Sequence, residues 1–370
     1  MRPTAWQRLD HLQPLIAGML VVLGLMTVYS AHADWVRQLV WVALGAAAYT
    51  AAATFDYRRL FPLAPWLYLA MLGLLVAVRL VGRTALGAQR WLSVGGFPLQ
   101  PSELSKLMLV VVLAAYLSRL ASPSWRGFIG ALALVAPVAA LILTQPDLGT
   151  TIVVMAVLVG LLFLGGARIV QLGSLATCAA VVTPLLPHLL HGYQRRRLEI
   201  FLNPGSDPLG AGYNLLQARI AVGAGGLFGQ GWLHGLQGTL GFVPERATDF
   251  VFAVFAEQFG LLGSLLLLAM FGILLIRLLR SAAVAPDRFG ALVAGGVFVM
   301  IFAQVVENVG MNIGLLPIAG ISLPLISYGG SATVTTLAAL GLVQSVILRR
   351  PLVVQPRPLL SGNITLRAQA

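Results

Sequence analysis

The stretch of sequence that decides the fold runs from Phe250 to Ile276 and reads FVFAVFAEQFGLLGSLLLLAMFGILLI. As a helix it is long enough to cross roughly 30 Å of hydrocarbon. Its apolar residues do not alternate with polar ones, as they would in a membrane-spanning strand. Because backbone N–H and C=O groups in hydrocarbon must be satisfied within their own segment, this run predicts a transmembrane helix.

The composition extends this interpretation to the whole chain. Of the 370 residues, 58% are hydrophobic and 10% are charged, and the mean hydropathy is +0.89, which excludes a water-soluble domain of this length. A formal charge of +12 suggests nucleic acid, but the basic residues stand singly or in small groups between apolar runs. We therefore expect membrane lipids, and no nucleic acid, as partners. The lone cysteine, Cys178, can form no intrachain disulfide.

We predict an all-α polytopic membrane protein that forms a single transmembrane domain over residues 1–370, with about ten spans. The first apolar run follows a basic start but has no cleavage site, so we interpret it as a span. The predicted spans are Leu15–Ser30, Trp35–Thr54, Pro62–Val81, Leu104–Leu120, Phe128–Thr144, Leu148–Leu164, Leu172–Leu190, Phe250–Ile276, Gly290–Met311 and Gly330–Leu348.

Arginines orient the predicted bundle, because Lys and Arg accumulate in cytoplasmic connections. Three stretches on the opposite, outer side are unusually long or polar, namely Gly82–Ser102, His191–Thr248 and Asn312–Gly329, and we predict function there. The middle one is a large extracytoplasmic loop between spans seven and eight. Both termini are predicted to be cytoplasmic, on the side of Arg2, Arg8, Arg58, Arg59, Arg119, Arg126, Arg168, Arg277, Arg280, Arg288, Arg349 and Arg350.

Charged residues beside the predicted spans are candidates for chemistry, since a charge near hydrocarbon is costly. Glu103 and Lys106 lie three apart on one helical face and can pair. The pair is either structural, or Lys106 reaches an anionic headgroup or a catalytic carboxylate. Asp249 follows Thr248, a predicted helix cap, and the helix dipole would keep its carboxylate deprotonated and able to accept a proton. The alternative is an ordinary cap-region acid, and Glu257 is a candidate buried partner.

A cationic cluster, Tyr193-Gln-Arg-Arg-Arg197, precedes the sequence Phe201-Leu-Asn-Pro-Gly. Its arginines either snorkel to headgroups or bind a diphosphate through paired N–H donors. The glycines from Gly223 to Gly231 lack the Lys-Ser/Thr of a nucleotide-binding loop. Helix-breaking residues between Asn308 and Ser331 predict irregular backbone, which is tolerated at membrane depth only where it lines a cavity.

With these residues assembled, the sequence resembles the shape, elongation, division and sporulation family of polytopic membrane proteins, the group that contains RodA and FtsW. The Asn308-Val-Gly-Met stretch and Ser331-Ala332 are more similar to RodA, the elongation member. The motifs that carry the resemblance are Gly87-Ala-Gln-Arg-Trp-Leu, Gln100-Pro-Ser-Glu-Leu-Ser-Lys106, Gln145-Pro-Asp-Leu-Gly-Thr150, Tyr193-Gln-Arg-Arg-Arg197, Asp207-Pro-Leu-Gly-Ala-Gly-Tyr213, Val243-Pro-Glu-Arg-Ala-Thr-Asp-Phe250 and Ser327-Tyr-Gly-Gly-Ser331.

The resemblance implies a peptidoglycan glycosyltransferase of the bacterial cytoplasmic membrane that polymerises lipid II, works with a class B penicillin-binding protein and belongs to the elongation machinery. Asp249 takes the position of the family's essential loop aspartate, and Glu103 and Lys106 match its membrane ion pair. We expect substrate or diphosphate binding by Arg90, Arg195, Arg197, Arg246, Gln145 and Asp147.

Two residues depart from the family pattern. Members often have His immediately before the Thr-Asp pair and a second acid after Glu257, whereas this chain has Ala247 and Gln258. The departure implies either that the chemistry needs neither group or that this chain is less than fully active.

The predicted mechanism needs one base and one cationic site. Asp249 would remove the proton of a sugar 4-hydroxyl, which attacks the anomeric carbon with inversion. Lys106, Arg195, Arg197 or a divalent cation, Mg or Mn, would stabilise the departing diphosphate. The alternatives are a lipid II flippase, a division-specific FtsW-like paralogue, or a scaffold for the penicillin-binding protein. Polar motifs concentrated on one side disfavour a transporter that alternates access.

Overall fold

The computed structural model describes residues 9–85, 88–94, 97–120, 122, 124–182, 193–203, 205, 207, 210–235, 242 and 245–350. Most of these residues are helical, and a helix lies at each of the ten predicted span positions; residues 183–190 of the predicted seventh span lie outside the described residues. The helices are α1 (Leu12–Ser30), α2 (Trp35–Thr54), α3 (Leu60–Val81), α4 (Pro101–Ser118), α5 (Trp125–Leu143), α6 (Leu148–Leu164), α7 (Ile169–Val182), α8 (Tyr193–Leu202), α9 (Ala211–Ala224), α10 (Val251–Ala283), α11 (Arg288–Asn312) and α12 (Gly330–Leu348).

Seven of these helices are long and apolar enough to cross a membrane, namely α1, α3 with the short 3₁₀ turn that precedes it, α4, α5, α10, α11 and α12. Helix α2 is less apolar, and α6 and α7 are shorter than 18 residues. The chain is therefore a multi-pass membrane protein, and the count of ten spans stays a prediction.

The expectation of an all-α chain is wrong in one segment. The predicted outer stretch from Gly82 contains three short antiparallel strands, β1 (Arg83–Ala85), β2 (Ala88–Val94) and β3 (Phe97–Leu99), which pair in the order β1-β2-β3. Arg83 pairs with Trp91, and Leu92 pairs with Leu99. A pattern search for membrane helices misses such a sheet because strands this short carry almost no periodicity.

Side-chain caps begin several of the helices. Backbone N–H groups in the first turns of these helices donate to a side-chain oxygen of the residue just before the helix. The acceptors are the carboxylates of Asp34 at α2, Asp147 at α6 and Asp287 at α11, and the hydroxyl of Ser124 at α5. Each cap satisfies a donor that the helix itself leaves unpaired. The caps thus explain why these helices start where they do.

The centre of the bundle is formed by α4, α11 and α12, whose faces are mostly buried, whereas α3 and α5 lie at the periphery with many exposed apolar residues. Helix α11 packs against α4, α6 and α10, and α12 packs along α2. Exposing an apolar helix face to lipid carries no free-energy penalty, so the exposed faces of the peripheral helices are compatible with the membrane they are predicted to meet.

Helix α10 is broken at Gly260, whose φ of 67° and ψ of −166° leave the helical region. Leu261 N donates to Gly226 O at 2.9 Å and Leu262 N donates to Leu227 O at 3.1 Å, so the chain after α9 satisfies backbone donors at the break. Residues before the break are buried almost continuously, whereas many after it are exposed and apolar. The break therefore separates a protein-buried half from a lipid-facing half.

The bundle has two chemically different ends. One, the basic end, comprises residues 55–59, 165–168, 284–287 and 349–350 and the neighbouring Asp10. Ion pairs join different segments of this end. The other, the site end, carries the three strands, α8, α9 and the segments around Asp147, Asp249 and Gly320. Most of the predicted functional residues lie at the site end.

Candidate functional site

Asp249 stands two residues before α10, in a segment fixed by its main chain. Its carbonyl oxygen accepts hydrogen bonds from the side-chain amides of Asn308 at 2.9 Å and Asn312 at 3.1 Å. The carbonyl oxygen of Thr248 accepts from the Ser327 hydroxyl at 2.7 Å, and that of Ala247 accepts from Tyr328 N at 2.7 Å. The backbone thus positions this segment without using the Asp249 carboxylate.

Thr248 does not cap the helix, which corrects the prediction. Its hydroxyl donates to the Glu245 carboxylate at 2.9 Å, and α10 begins only at Val251. The position of Thr248 in the sequence did not reveal the cap, because residues 245–250 form a separate turn before the helix.

The Asp249 carboxylate is half-buried and lies beside the Arg197 guanidinium. Both groups border Gly320: a Cβ at that position would lie 3.2 Å from Arg197 Nη1 and 3.5 Å from Asp249 Oδ2. Gly320 also has a φ of 75°, which side-chain-bearing residues rarely adopt. Arg197 is buried and donates from Nη1 to Ile318 O at 3.0 Å. A fixed cation thus faces the carboxylate across a residue without a side chain.

Burial raises the pKa of the Asp249 carboxyl to about 6, although the charge of Arg197 acts in the opposite direction. Glu245 adds to the upward shift in pKa. The expected stabilisation of the anion by the helix start is outweighed by burial, which raises the pKa. A carboxylate with a pKa just below neutrality is still mostly deprotonated at pH 7, and it is a stronger base than an ordinary aspartate.

A second cluster joins three of the predicted residues, Arg90, Gln145 and Asp147. Arg90 Nε donates to Gln145 O at 3.0 Å, its Nη2 donates to Pro146 O, and its Nη1 lies 4.0 Å from Asp147 Oδ1. The buried Asp147 carboxylate also caps α6 through Thr150 N at 3.2 Å. The charges of Arg90 and Asp147 act on Asp249, so the two clusters share one electrostatic environment.

Lys106 and Glu103 form a buried ion pair, with Nζ 2.7 Å from Oε1. Glu307 is a buried acid that the sequence analysis missed, and the charge of Lys106 acts on it. Neither of its carboxylate oxygens has a hydrogen-bond partner among the described residues. An acid inside the apolar run Gly290–Met311, close to its outer end, was the signal that could have found it.

Three predicted residues have contacts that do not involve the Asp249 carboxylate. Arg195 is exposed and pairs with Glu199 at 2.8 Å. Arg246 donates from Nε to Ala31 O at 2.8 Å. Glu257 is fully buried beside Gly235, where an added Cβ would lie 2.7 Å from its Oε2. Arg246 and Glu257 thus contact other elements and Arg195 lies on the surface, and their predicted parts in the site stay predictions.

The described part of the chain has no group of three or more His, Cys, Asp or Glu side chains placed to hold a metal ion. Asp249 and Arg197 instead bring one carboxylate and one guanidinium to the same glycine, Gly320. The arrangement can take up a proton at the carboxylate and present positive charge beside it.

The chain is similar in sequence to proteins of one family. The model of the FtsW, RodA and SpoVE family, described as cell cycle protein, matches residues 10–350. Peptidoglycan glycosyltransferase MrdB of Escherichia coli is 41% identical over 357 residues, which covers 93% of this chain and 95% of MrdB.

Solved structures give the same result. One chain of a peptidoglycan synthase complex, described as the structural coordination of polymerization and crosslinking, superposes with a TM-score of 0.81 at 36% identity, covering 92% of this chain and 98% of that one. The rod shape determining protein RodA of Thermus thermophilus superposes with a TM-score of 0.72 at 32% identity, covering 94% and 99% of the two chains. This chain therefore belongs to the FtsW, RodA and SpoVE family of cell cycle proteins.

Proposed function

We propose that this chain is a peptidoglycan glycosyltransferase that polymerises lipid II during cell elongation, with Asp249 as the general base. The observation that carries the proposal is the half-buried Asp249 carboxylate beside the fixed Arg197 guanidinium. The activity named for the Escherichia coli relative and the shape-determining role named for the Thermus relative support the reaction and its cellular process.

The orientation follows from the distribution of arginine. The basic end is expected to face the cytoplasm, because Lys and Arg in short connections remain on that side. The first and last described residues lie at the basic end, since Asp10 pairs with Arg277 and Arg349 pairs with Asp56, so we propose that both termini are cytoplasmic. The site end would then face outward, where the precursor would be polymerised and where the proposed large extracytoplasmic loop, residues 191–248, would lie.

In the proposed reaction Asp249 takes the proton of an acceptor 4-hydroxyl while the oxygen of that hydroxyl bonds to the donor's anomeric carbon. The bond from the anomeric carbon to the diphosphate oxygen breaks, and polyprenyl diphosphate leaves with both bonding electrons. Arg197 holds the carboxylate in place and partly offsets the energetic cost of its burial. Apolar surfaces between the helices would align the two polyprenyl-linked substrates, so orientation contributes to the rate.

The leaving diphosphate needs positive charge rather than a proton. Arg90 is a well-placed candidate, because its charge, like that of Arg197, acts on Asp249 while its own hydrogen bonds are to backbone carbonyls. Arg195, Lys106 and a divalent cation such as Mg or Mn are further candidates. Removal of divalent cations by chelation would separate the metal from the arginines as the source of that charge.

We further propose a class B penicillin-binding protein as partner. The support is the structural relative, which is described as part of a peptidoglycan synthase complex that coordinates polymerization with crosslinking. A flippase would need comparable polar groups at both faces of its cavity. Here the buried acids Glu103, Asp147 and Glu307 interact electrostatically with one another or with Lys106, all near one end of the bundle. Because the polar groups are concentrated at that end, an enzyme is favoured over a flippase.

The decisive experiment is polymerisation of purified lipid II by the isolated chain in detergent. Glycan strands from the wild-type chain would separate an enzyme from a flippase or a scaffold. Asp249→Asn should make none, whereas the matched Asp34→Asn variant, at an exposed cap of the same end, should remain active. Normal strands from Asp249→Asn would remove the base assignment.

A further inference from the structure

A cavity of about 260 Å³ lies at the basic end, at the opposite end of α10 from Asp249. It is bordered by the start of α1, the last turns of α10 and the end of α12. Its polar lining is dominated by cations: Arg277, Arg280 and Arg350, with His11 beside them. The glycosyltransferase chemistry uses none of these residues.

One wall of the cavity is built around an ion pair. Arg277 contacts the buried Asp10 carboxylate twice, from Nε to Oδ2 at 2.8 Å and from Nη2 to Oδ1 at 2.7 Å. These two contacts hold the guanidinium in one orientation and neutralise the charge of the Asp10 carboxylate. Arg277 therefore lines the cavity as a rigid, already neutralised group.

The remaining guanidinium groups of Arg280 and Arg350 have no hydrogen bond or ion pair to any described residue. All 12 acidic residues of the chain fall in described segments. At the basic end the acids are Asp10, Asp56 and Asp287, and each is already paired with a different arginine, namely Arg277, Arg349 and Arg58. The counter-charge for the cavity must therefore come from outside the chain's own carboxylate side chains.

The apolar lining shows what kind of anion fits. Leu12, Val284 and Ile347 share the cavity with the arginines. Leu12 is exposed, and it begins a stripe of exposed apolar residues along α1 that continues through Leu15, Met19 and Val22. A site that joins cationic groups to an exposed apolar helix face suits a molecule with a charged head and hydrocarbon chains.

We propose that this cavity binds the phosphate headgroup of an anionic phospholipid, with the acyl chains along the exposed stripe of α1. Arg280 and Arg350 supply the positive charge, and Arg277 with Asp10 forms the rigid wall. Basic pockets between transmembrane helices at the cytoplasmic surface bind anionic lipid headgroups in this manner. A free phosphate would share the cationic contacts but would leave the apolar stripe unused.

The test is native mass spectrometry of the full chain in detergent, titrated with phosphatidylglycerol and, separately, with zwitterionic phosphatidylethanolamine. The double variant Arg280→Gln, Arg350→Gln should lose at least about tenfold in phosphatidylglycerol affinity. The matched control is Arg59→Gln, Arg168→Gln, which removes the same charge from exposed positions of the basic end outside the cavity. The control should retain the wild-type affinity, and both variants should elute as the wild-type chain does in size exclusion.

An equal loss in both double variants would overturn the proposal, because it would indicate general attraction to a basic surface. Unchanged phosphatidylglycerol binding in the cavity variant would overturn it as well. Displacement of the lipid by millimolar inorganic phosphate would reassign the site to free phosphate. Arginine-dependent binding of an oligoglutamate peptide without lipid binding would reassign it to an acidic protein segment.

Discussion

Asp287 and Asp249 lie next to opposite ends of the same pair of helices, and their environments differ completely. Burial alone would raise the pKa of Asp287, but hydrogen bonds from Tyr57, Gly290 N and Arg58 bring the pKa below its ordinary value. At Asp249 the surrounding donors bind the backbone carbonyl instead, and burial raises the carboxyl pKa to about 6. Hydrogen bonds to a carboxylate stabilise the fold, whereas a carboxylate spared those bonds remains available as a base.

The largest expected effect in this comparison is on catalysis at Asp249. Asp249→Asn should lower lipid II polymerisation by about 10² to 10⁴-fold, the usual contribution of a general base. Its melting temperature should equal or exceed that of the wild type, because the neutral amide avoids the desolvation of a buried charge. Gel analysis of glycan products and a thermal unfolding scan measure the two effects. A variant that is both inactive and unstable would instead assign Asp249 a structural role.

Arg197 should matter more than its neighbour Arg195. Arg197→Gln is expected to reduce polymerisation by about tenfold or more and to move the acidic limb of the pH profile to higher pH, because Arg197 lowers the pKa of Asp249. Arg195→Gln, at an exposed surface pair, should change the rate by less than about twofold. Equal effects of the two substitutions would mean that the cluster acts only through its total charge.

The pH dependence tests the pKa of the base directly. With a pKa of about 6 for Asp249, the deprotonated and active fraction should fall about tenfold between pH 7 and pH 5. Initial polymerisation rates over this range, measured with a chain shown to stay folded at each pH, give the apparent pKa. A flat profile down to pH 5 would contradict the raised pKa of Asp249.

The smallest effect is expected at Asp287 and should concern stability alone. Asp287→Ala removes the cap of α11 and should cost about 1 kcal/mol of folding free energy. Since the pKa of Asp287 is lowered in the folded chain, this contribution is present above the pKa of the unfolded carboxyl. It is lost as the pH falls through the folded pKa. The melting temperatures of the variant and the wild type should therefore converge in acid, while polymerisation per folded molecule stays unchanged at pH 7.

The sequence by itself determined that the chain lies in a lipid membrane, where its apolar helices occur and to which family it belongs. Long apolar runs can satisfy their backbone groups in lipid only as helices, and the motif around Asp249 is local in the chain. Distant partners were harder to infer: Arg197, Gly320 and Asp249 lie on different elements. Their meeting depends on how those elements pack, which no local pattern records.

Only the tertiary structure decided which partner each charged residue contacts and how deeply it is buried. The sequence analysis treated Arg195, Arg197 and Arg246 alike, whereas the structure pairs Arg195 with Glu199, bonds Arg246 to Ala31 and turns Arg197 toward Asp249. Packing also buries the Asp249 carboxylate, which raises its pKa, and it buries Glu307. The physical reason is that burial and long-range partners set the energy of a charge, and both arise only when the helices pack.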